Sequence, residues 1–191
     1  MAAIAFVVLL GACGGDDDDA STTTTEPNST TTTGATTTTG STTTTTPQAA
    51  IDAEVTAAYE AAAQAFIAAA AIPDPDFPAL LATHVDPMLN QRRGVLTQLK
   101  FGGRVIRYPA NPQHRNEVES VDVRSPDIAV LIVCTVDDGE RYDVATGALL
   151  TDGLPGTVRI EAALRHIEGS WRLAERLEQE SWEGVDGCAI D

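Results

Sequence analysis

A threonine-rich segment limits which part of this chain can fold. From Ala20 to Pro47, 17 of the 28 residues are threonine, in four blocks separated by Gly, Ala, Ser, Pro, Asn and one Glu. It has no aromatic residue and no apolar periodicity, so it cannot bury enough surface to offset the entropy of ordering its backbone. Exported proteins use such stretches as glycosylated stalks. We expect residues 13–47 to form a disordered linker and residues 48–191 to form one folded domain.

The first thirteen residues are typical of a bacterial lipoprotein signal. An apolar run from Ala2 to Leu10 ends in Leu10-Gly11-Ala12-Cys13, which resembles a lipobox, although no positively charged residue precedes the run. The run is shorter than the about 20 apolar residues that span a bilayer, and it suits the core of a signal peptide. We expect residues 1–12 to be removed and Cys13 to carry lipid on the extracytoplasmic face of the cell membrane. A plain secretory signal or a buried strand are the alternatives.

The folded part is acidic, which excludes one class of partner. Five of the 28 Asp and Glu residues precede residue 48, which leaves 23 against 12 Lys and Arg, a net charge of −11. A surface of this sign has no electrostatic attraction for nucleic acid or for an anionic membrane face. We expect no nucleic-acid partner, and we interpret the charge as an aid to solubility.

Helical periodicity is confined to the first half of the domain. Apolar residues from Ile51 to Ala70 recur every three or four positions in an alanine-rich stretch, and Pro73 ends this helix. A short helix through Leu80 and Leu81 is expected next. A third helix should follow Asp86-Pro87 and end at Gly102-Gly103.

Strand patterns occupy the second half of the domain. The expected strands are 105–108, 118–123, 128–136, 158–167 and 171–177. The stretch 128–136 is apolar almost throughout, as in a central strand that is covered on both faces. Helices gathered before a run of antiparallel strands predict the α+β class, with N-terminal helices packed on a strongly curved antiparallel sheet.

The last hairpin contains Gly169-Ser170-Trp171-Arg172-Leu173. Together with the order of elements, this Gly-x-Trp-x-Leu strand resembles the nuclear transport factor 2-like (NTF2-like) superfamily, also called SnoaL-like or cystatin-like α+β cones. The resemblance covers about Val55 to Trp182. Cys134 and the ending Trp182-Glu183-Gly184…Gly187-Cys188 also resemble a set of uncharacterised actinobacterial secreted proteins. The resemblance implies a cone-shaped cavity between the first helix and the sheet.

Two cysteines remain once Cys13 is assigned to lipid. Cys134 lies inside the central strand, and Cys188 lies in a tail that Gly184 and Gly187 allow to fold back. An even pair in an oxidising compartment favours a disulfide, with Trp182 packed beside it. The alternative is a buried thiol at Cys134 and a frayed tail. No histidine or second cysteine lies at metal-ligand spacing near either one, so we expect no metal site.

Residues that could line the cone cavity are few in the sequence. The possible lining residues are Tyr59, Phe66, Asp122 and Trp171, and Asp127 is a further carboxylate candidate. Catalysis in such a cavity would need a basic carboxylate in an apolar pocket beside a hydrogen-bond donor. Tyr59 lies on the apolar face of the first helix, so we interpret it as a core residue. The histidines (His84, His114 and His166) match no ligand spacing, and we interpret the first two as capping or surface residues and the third as a partly exposed strand residue.

These observations favour a non-catalytic binding or scaffolding module at the cell surface, without a catalytic residue or cofactor. Its partner would be a small apolar ligand or an envelope protein. The alternative is a small SnoaL-like isomerase or hydrolase that uses carboxylate and Tyr groups in the cavity. If side chains such as Phe66, Leu96, Ile132 and Trp171 fill the cavity, both ligand-binding interpretations weaken.

Overall fold

The structure, a computed structural model, describes residues 47–151 and 154–188. The helices are α1 (Gln48–Ala71), α2 (Pro78–Thr83) and α3 (Met88–Phe101), and the strands are β1 (Arg104–Arg107), β2 (Arg115–Ser125), β3 (Ile128–Asp137), β4 (Glu140–Asp143), β5 (Leu149–Thr151), β6 (Gly156–Ile167) and β7 (Ser170–Glu183). The predictions on the signal segment, on Cys13 and on the threonine-rich linker fall outside the described residues. Among the described helices, none is long and apolar enough to cross a membrane.

The strands form two antiparallel sheets. The larger has the order β2-β3-β6-β7 and the smaller has the order β1-β4-β5. The ladders β2–β3 and β6–β7 each contain two register shifts, and such bulges increase the bend and twist of a sheet. The predicted α+β class, with N-terminal helices packed on a curved antiparallel sheet, is confirmed. We expected five strands, whereas the chain between β3 and β6 forms two more, β4 and β5, and β4 pairs with both β1 and β5.

The core lies between α1 and the inner face of the larger sheet. Val55, Tyr59 and Ala62 of α1 are almost fully buried at helical spacing. They pack against alternate residues of β3 and β6, such as Leu131 and Ile160. A second cluster of buried residues joins the C-terminal part of α1 to α2 and α3, and consists of Ala69, Ala70, Leu80, Leu96 and Leu99. These two clusters hold α1 and α3 against the sheet.

The C-terminal tail is attached to the opposite, outer face of this sheet. Cys134 and Cys188 form the predicted disulfide, with a Cα–Cα distance of 6.0 Å and a sequence separation of 54. The Thr157 hydroxyl donates to the carbonyl of Gly184 at 2.6 Å, and the Arg115 guanidinium donates to the carbonyl of Val185 at 2.9 Å. These contacts bury Cys134, which is 5% exposed.

Candidate functional site

A cavity of about 80 Å³ lies where α1, α3 and the inner face of the larger sheet meet. Helix α1 supplies Tyr59, Ala63, Phe66 and Ile67, whose spacing places them along one side of the helix. The other lining residues are Arg92, Tyr108, His114, Asn116, Thr135, Asp137 and Arg176. The wall therefore combines aromatic rings with hydrogen-bonding and charged groups.

Arg92 of α3 brings a cation to this cavity. It lies four residues after Met88 and four before Leu96, and both of these neighbours are buried, so α3 directs Arg92 toward the core. Its guanidinium carbon lies 3.9 Å from the centroid of the Phe66 ring. Its Nε is buried and has no hydrogen-bond partner among the described residues. Burial, followed by the nearby charge of Arg176, lowers the pKa of Arg92 to about 10, so it stays charged at neutral pH.

A bulge in β7 brings a second cation to the same place. Leu173 pairs with Leu164 and Arg176 pairs with Ala162, so one extra residue of β7, Ala174, lies between them. Because Leu164 and Ala162 both face the core, the bulge turns Leu173 and Arg176 to the same inner face. Arg176 forms no salt bridge with another residue of the described ranges.

Tyr108, after β1, closes the cavity on the side of the smaller sheet. Its hydroxyl donates to Asp137 Oδ1 at 3.1 Å, and its ring lies 4.9 Å from that of His114 between centroids. Burial and the adjacent carboxylate of Asp137 raise the pKa of Tyr108, so its hydroxyl stays protonated. Both ring nitrogens of His114 are buried without a hydrogen-bond partner in the described part of the chain. Asp137 itself is exposed and also accepts the amide N–H of Gly139 at 3.1 Å.

Asn116 and Thr135 form the sheet side of the cavity. They pair across β2 and β3, and the Thr135 hydroxyl donates to Asn116 Oδ1 at 2.9 Å. Beside them, Asp138 Oδ2 accepts the amide N–H of Gln113 at 2.6 Å. This bond ties the loop that carries His114 to the end of β3.

Of the four residues that the sequence offered as cavity lining, the structure brings two together. Tyr59 and Phe66 line the cavity, and Tyr59 is at the same time part of the core. Asp122 lies outside it, because Val121 and Val123 occupy the inner face and strand alternation turns Asp122 outward to an ion pair with Arg124.

Trp171 and Asp127 are also placed away from the cavity. Trp171 packs against the core and the ring of His166 at the β6–β7 turn. This end of the sheet lies beside Ala129 of β3. Thr135, which lines the cavity, is six residues further along β3, at a distance of about 20 Å. Asp127 is exposed at the turn between β2 and β3.

The residues considered as cavity fillers take different positions. Leu96 is buried in the second core cluster, and Ile132 lies on the outer face of the sheet beside Arg159. Phe66 forms part of the wall, so the cavity remains open. His84 is the C-cap residue of α2, as the capping interpretation expected, and it is also 1% exposed. His114 lines the cavity with both ring nitrogens buried, so its interpretation as a capping or surface residue was wrong.

Sequence reasoning missed most of the polar lining. One signal was present for Arg92, because a charged residue occupies a core position between apolar residues of α3. No comparable signal exists for Arg176, since strict alternation from Leu173 would place Glu175 on the inner face. Tyr108 and His114 reach the cavity from a loop, whose path the sequence pattern does not specify.

Several other depressions lie on the described part of the domain, and two of them bear on possible sites. One of about 230 Å³ shares Arg92 and Arg176 with the cavity and continues it outward between α3 and β7. Another, of about 300 Å³, lies over the disulfide on the outer face. There, Glu119 lies near both sulfurs, but these are bonded to each other and Glu119 is paired with Arg159, which leaves no thiolate to ligate a metal.

No protein-family model and no curated protein matches this sequence. In structure, the domain is similar to the intermembrane-space region of the chloroplast protein ARC6, with a TM-score of 0.51 and 16% identity over 65% of this chain and 95% of that chain. A ketosteroid isomerase-like protein from Erwinia carotovora atroseptica matches with a TM-score of 0.39 and 23% identity, over 63% of this chain and 91% of that one. An NTF-2-like protein from Silicibacter pomeroyi matches with a TM-score of 0.37 and 18% identity, over 66% and 96%. At these identities the likeness concerns the fold alone, the α+β cone.

Proposed function

We propose that this protein is a lipid-anchored, extracytoplasmic binding module whose cone domain holds a small ligand in the cavity between α1, α3 and the sheet. The observation that carries the proposal is the set of buried polar atoms around the cavity that lack a partner among the described residues, namely Arg92 Nε and both ring nitrogens of His114. Buried polar groups without hydrogen bonds are costly, and a ligand would satisfy them. This polar wall favours a polar ligand over the apolar one that the sequence suggested.

The arrangement of carboxylates favours binding over catalysis. Asp137 is the carboxylate of the cavity wall, and it is exposed and already accepts hydrogen bonds from Tyr108 and Gly139. Catalysis by proton abstraction would need a carboxylate held basic in an apolar pocket. Asp122 and Asp127, the other candidates, lie outside the cavity.

Two features support the proposed location. Leu10-Gly11-Ala12-Cys13 follows an apolar run as in a lipoprotein signal. The bond between Cys134 and Cys188 is the kind of crosslink that persists in oxidising compartments outside the cytoplasm. An envelope protein that docks on the domain is the alternative partner.

The ligand can be sought directly in the purified protein. We would purify the full chain from bacterial envelopes in mild detergent and identify released small molecules by mass spectrometry. Ala63→Leu adds volume inside the cavity, and Ala61→Leu adds the same volume on the exposed side of α1 as a matched control. We expect wild type and Ala61→Leu to release the same compound, and Ala63→Leu to release at least tenfold less.

Circular dichroism would show whether Ala63→Leu folds, and Ile67→Phe, at another lining position, replaces it if it does not. A wild-type protein that releases no compound would contradict the binding role. Equal release from the cavity variant and the control would contradict the assignment of the cavity.

A catalytic role is the second candidate, and the hydrogen bond between Tyr108 and Asp137 beside His114 favours it. Tyr108 would act there as a hydrogen-bond donor to developing charge once its O–H turns from Asp137 to the ligand. Incubating the released compound with wild type and Tyr108→Phe tests this role. Conversion by wild type that Tyr108→Phe loses while it still binds the compound would support catalysis, and an unchanged compound with both proteins would exclude it.

A further inference from the structure

In the wall of the cavity the two arginines outnumber the carboxylates, while Glu178 lies with them in the adjoining depression. Neither Arg92 nor Arg176 forms a salt bridge with a described residue. Four other arginines of the domain also lack one, but those four are exposed, whereas Arg92 and Arg176 are half-buried. Holding a guanidinium away from water without a carboxylate is unfavourable, and two like charges side by side increase this penalty. Such an arrangement is stable at modest cost when an anion binds between the two groups.

The charge count of the wall indicates the charge of that anion. Arg92 and Arg176 contribute two positive charges, and Asp137 contributes one negative charge. Asp137 forms no salt bridge with either arginine, but its negative charge acts on Arg92 and so offsets one of the two positive charges. The remaining charge is balanced by a single negative charge, which fits a monoanion better than a dianion such as phosphate.

The size and lining of the cavity restrict the ligand further. A volume of about 80 Å³ holds the equivalent of roughly two or three waters, or an anion of a few heavy atoms. The guanidinium group matches a planar carboxylate through two parallel hydrogen bonds. The rings of Tyr59 and Phe66 offer apolar contact to a short carbon chain.

We infer that the cavity binds a small monocarboxylate, whose carboxylate group lies between Arg92 and Arg176 and whose short carbon chain lies against Tyr59 and Phe66. This inference rests on the proposed binding role and names its ligand class. The depression of about 230 Å³ between α3 and β7, which both arginines also line, provides an entry path to this cavity.

Simple anions test the ligand class with the full chain in detergent. Thermal unfolding and calorimetric titration would compare sodium propionate, the neutral isostere propionamide, inorganic phosphate and sodium chloride at equal ionic strength. We expect propionate to raise the melting temperature and propionamide to leave it unchanged. Arg92→Met and Arg176→Met should each weaken propionate binding at least tenfold.

Arg93→Met is the matched control, because Arg93 follows Arg92 directly but pairs with Asp76 at the surface, away from the cavity. It should bind propionate as wild type does. Arg92→Met should also melt at a higher temperature than wild type without ligand, since it removes a buried cation that lacks a partner. This rise shows that the variant is folded and distinguishes a binding residue from a structural one.

Three outcomes would overturn the inference. They are equal stabilisation by propionamide, undiminished propionate binding in Arg92→Met, and stabilisation by phosphate in place of propionate. If the wild-type protein responds to none of these probes but releases a neutral compound on extraction, the carboxylate class is wrong and the binding role stands. If it neither responds nor releases any compound, both are wrong.

Discussion

Gly187 and Gly94 differ in what an added methyl group would meet. A Cβ on Gly187 would lie 2.7 Å from three side-chain atoms of Trp182, including its Cβ, whereas a Cβ on Gly94 would meet nothing within 4 Å. We expect Gly187→Ala to lower the free energy of unfolding by about 1–3 kcal/mol through overpacking. Gly94→Ala, inside α3, should raise it by about 0.5–1 kcal/mol. Urea unfolding measures both, and a change of the same sign in the two variants would contradict the contact with Trp182.

His84 makes the stability of the domain depend on pH. Burial, followed by the charge of Arg92, lowers the pKa of His84 from 6.5 to about 4 in the folded protein. Between these values the unfolded chain binds more protons, so the free energy of unfolding falls as the pH drops from about 6.5 toward 4. The loss amounts to at most about 3 kcal/mol.

The substitution His84→Gln isolates this contribution from that of the carboxylates, which titrate in the same range. Urea unfolding at pH 7.5, 5.5 and 4.5 should show wild type losing more stability than the variant as the pH falls. A difference between the two proteins that stays constant with pH would mean that His84 does not cause the dependence.

At the scale of elements, the disulfide attaches the C-terminal tail to the centre of the sheet. Cys188→Ser removes a crosslink with a sequence separation of 54, which the chain-entropy model values at about 4 kcal/mol. We expect the variant to lose stability of this order while keeping its strands. Adding reductant should bring wild type to the stability of the variant and leave the variant unchanged. If reductant affects both proteins equally, the bond is not the source of the difference.

The sequence predicts helices and long strands well, because their periodicity comes from burial on one face. The apolar run 128–136 and the Gly-hinged Cys188 also carry local signals, and the structure agrees with both. The smaller sheet, in which β4 pairs with β1 and β5, has no such signal, since β5 is exposed along its whole length. The cavity was foreseen only through Tyr59 and Phe66, because its polar groups depend on a bulge and a loop.

At the scale of the whole molecule, the proposed attachment to the membrane depends on Cys13. We expect wild type to fractionate with membranes and Cys13→Ser to be released into the soluble fraction, because the variant lacks the acyl chains that anchor a lipoprotein. Immunoblots of both fractions measure this distribution. Ser21→Ala is the control, and it should stay with the membrane. Equal solubility of wild type and Cys13→Ser would contradict the lipoprotein prediction.

The bulge at Ala174 has a consequence for how such a domain can diverge. Glu175 and Arg176 are neighbours of opposite charge, and the bulge decides which of them is turned inward. A regular strand of the same sequence, without the bulge, would turn the carboxylate of Glu175 to the inner face in place of the guanidinium of Arg176. The sign of the charge that β7 contributes to the cavity thus depends on the bulge as well as on the identity of the residues. Chains of nearly identical composition could present opposite charges to the cavity, according to whether β7 contains the bulge.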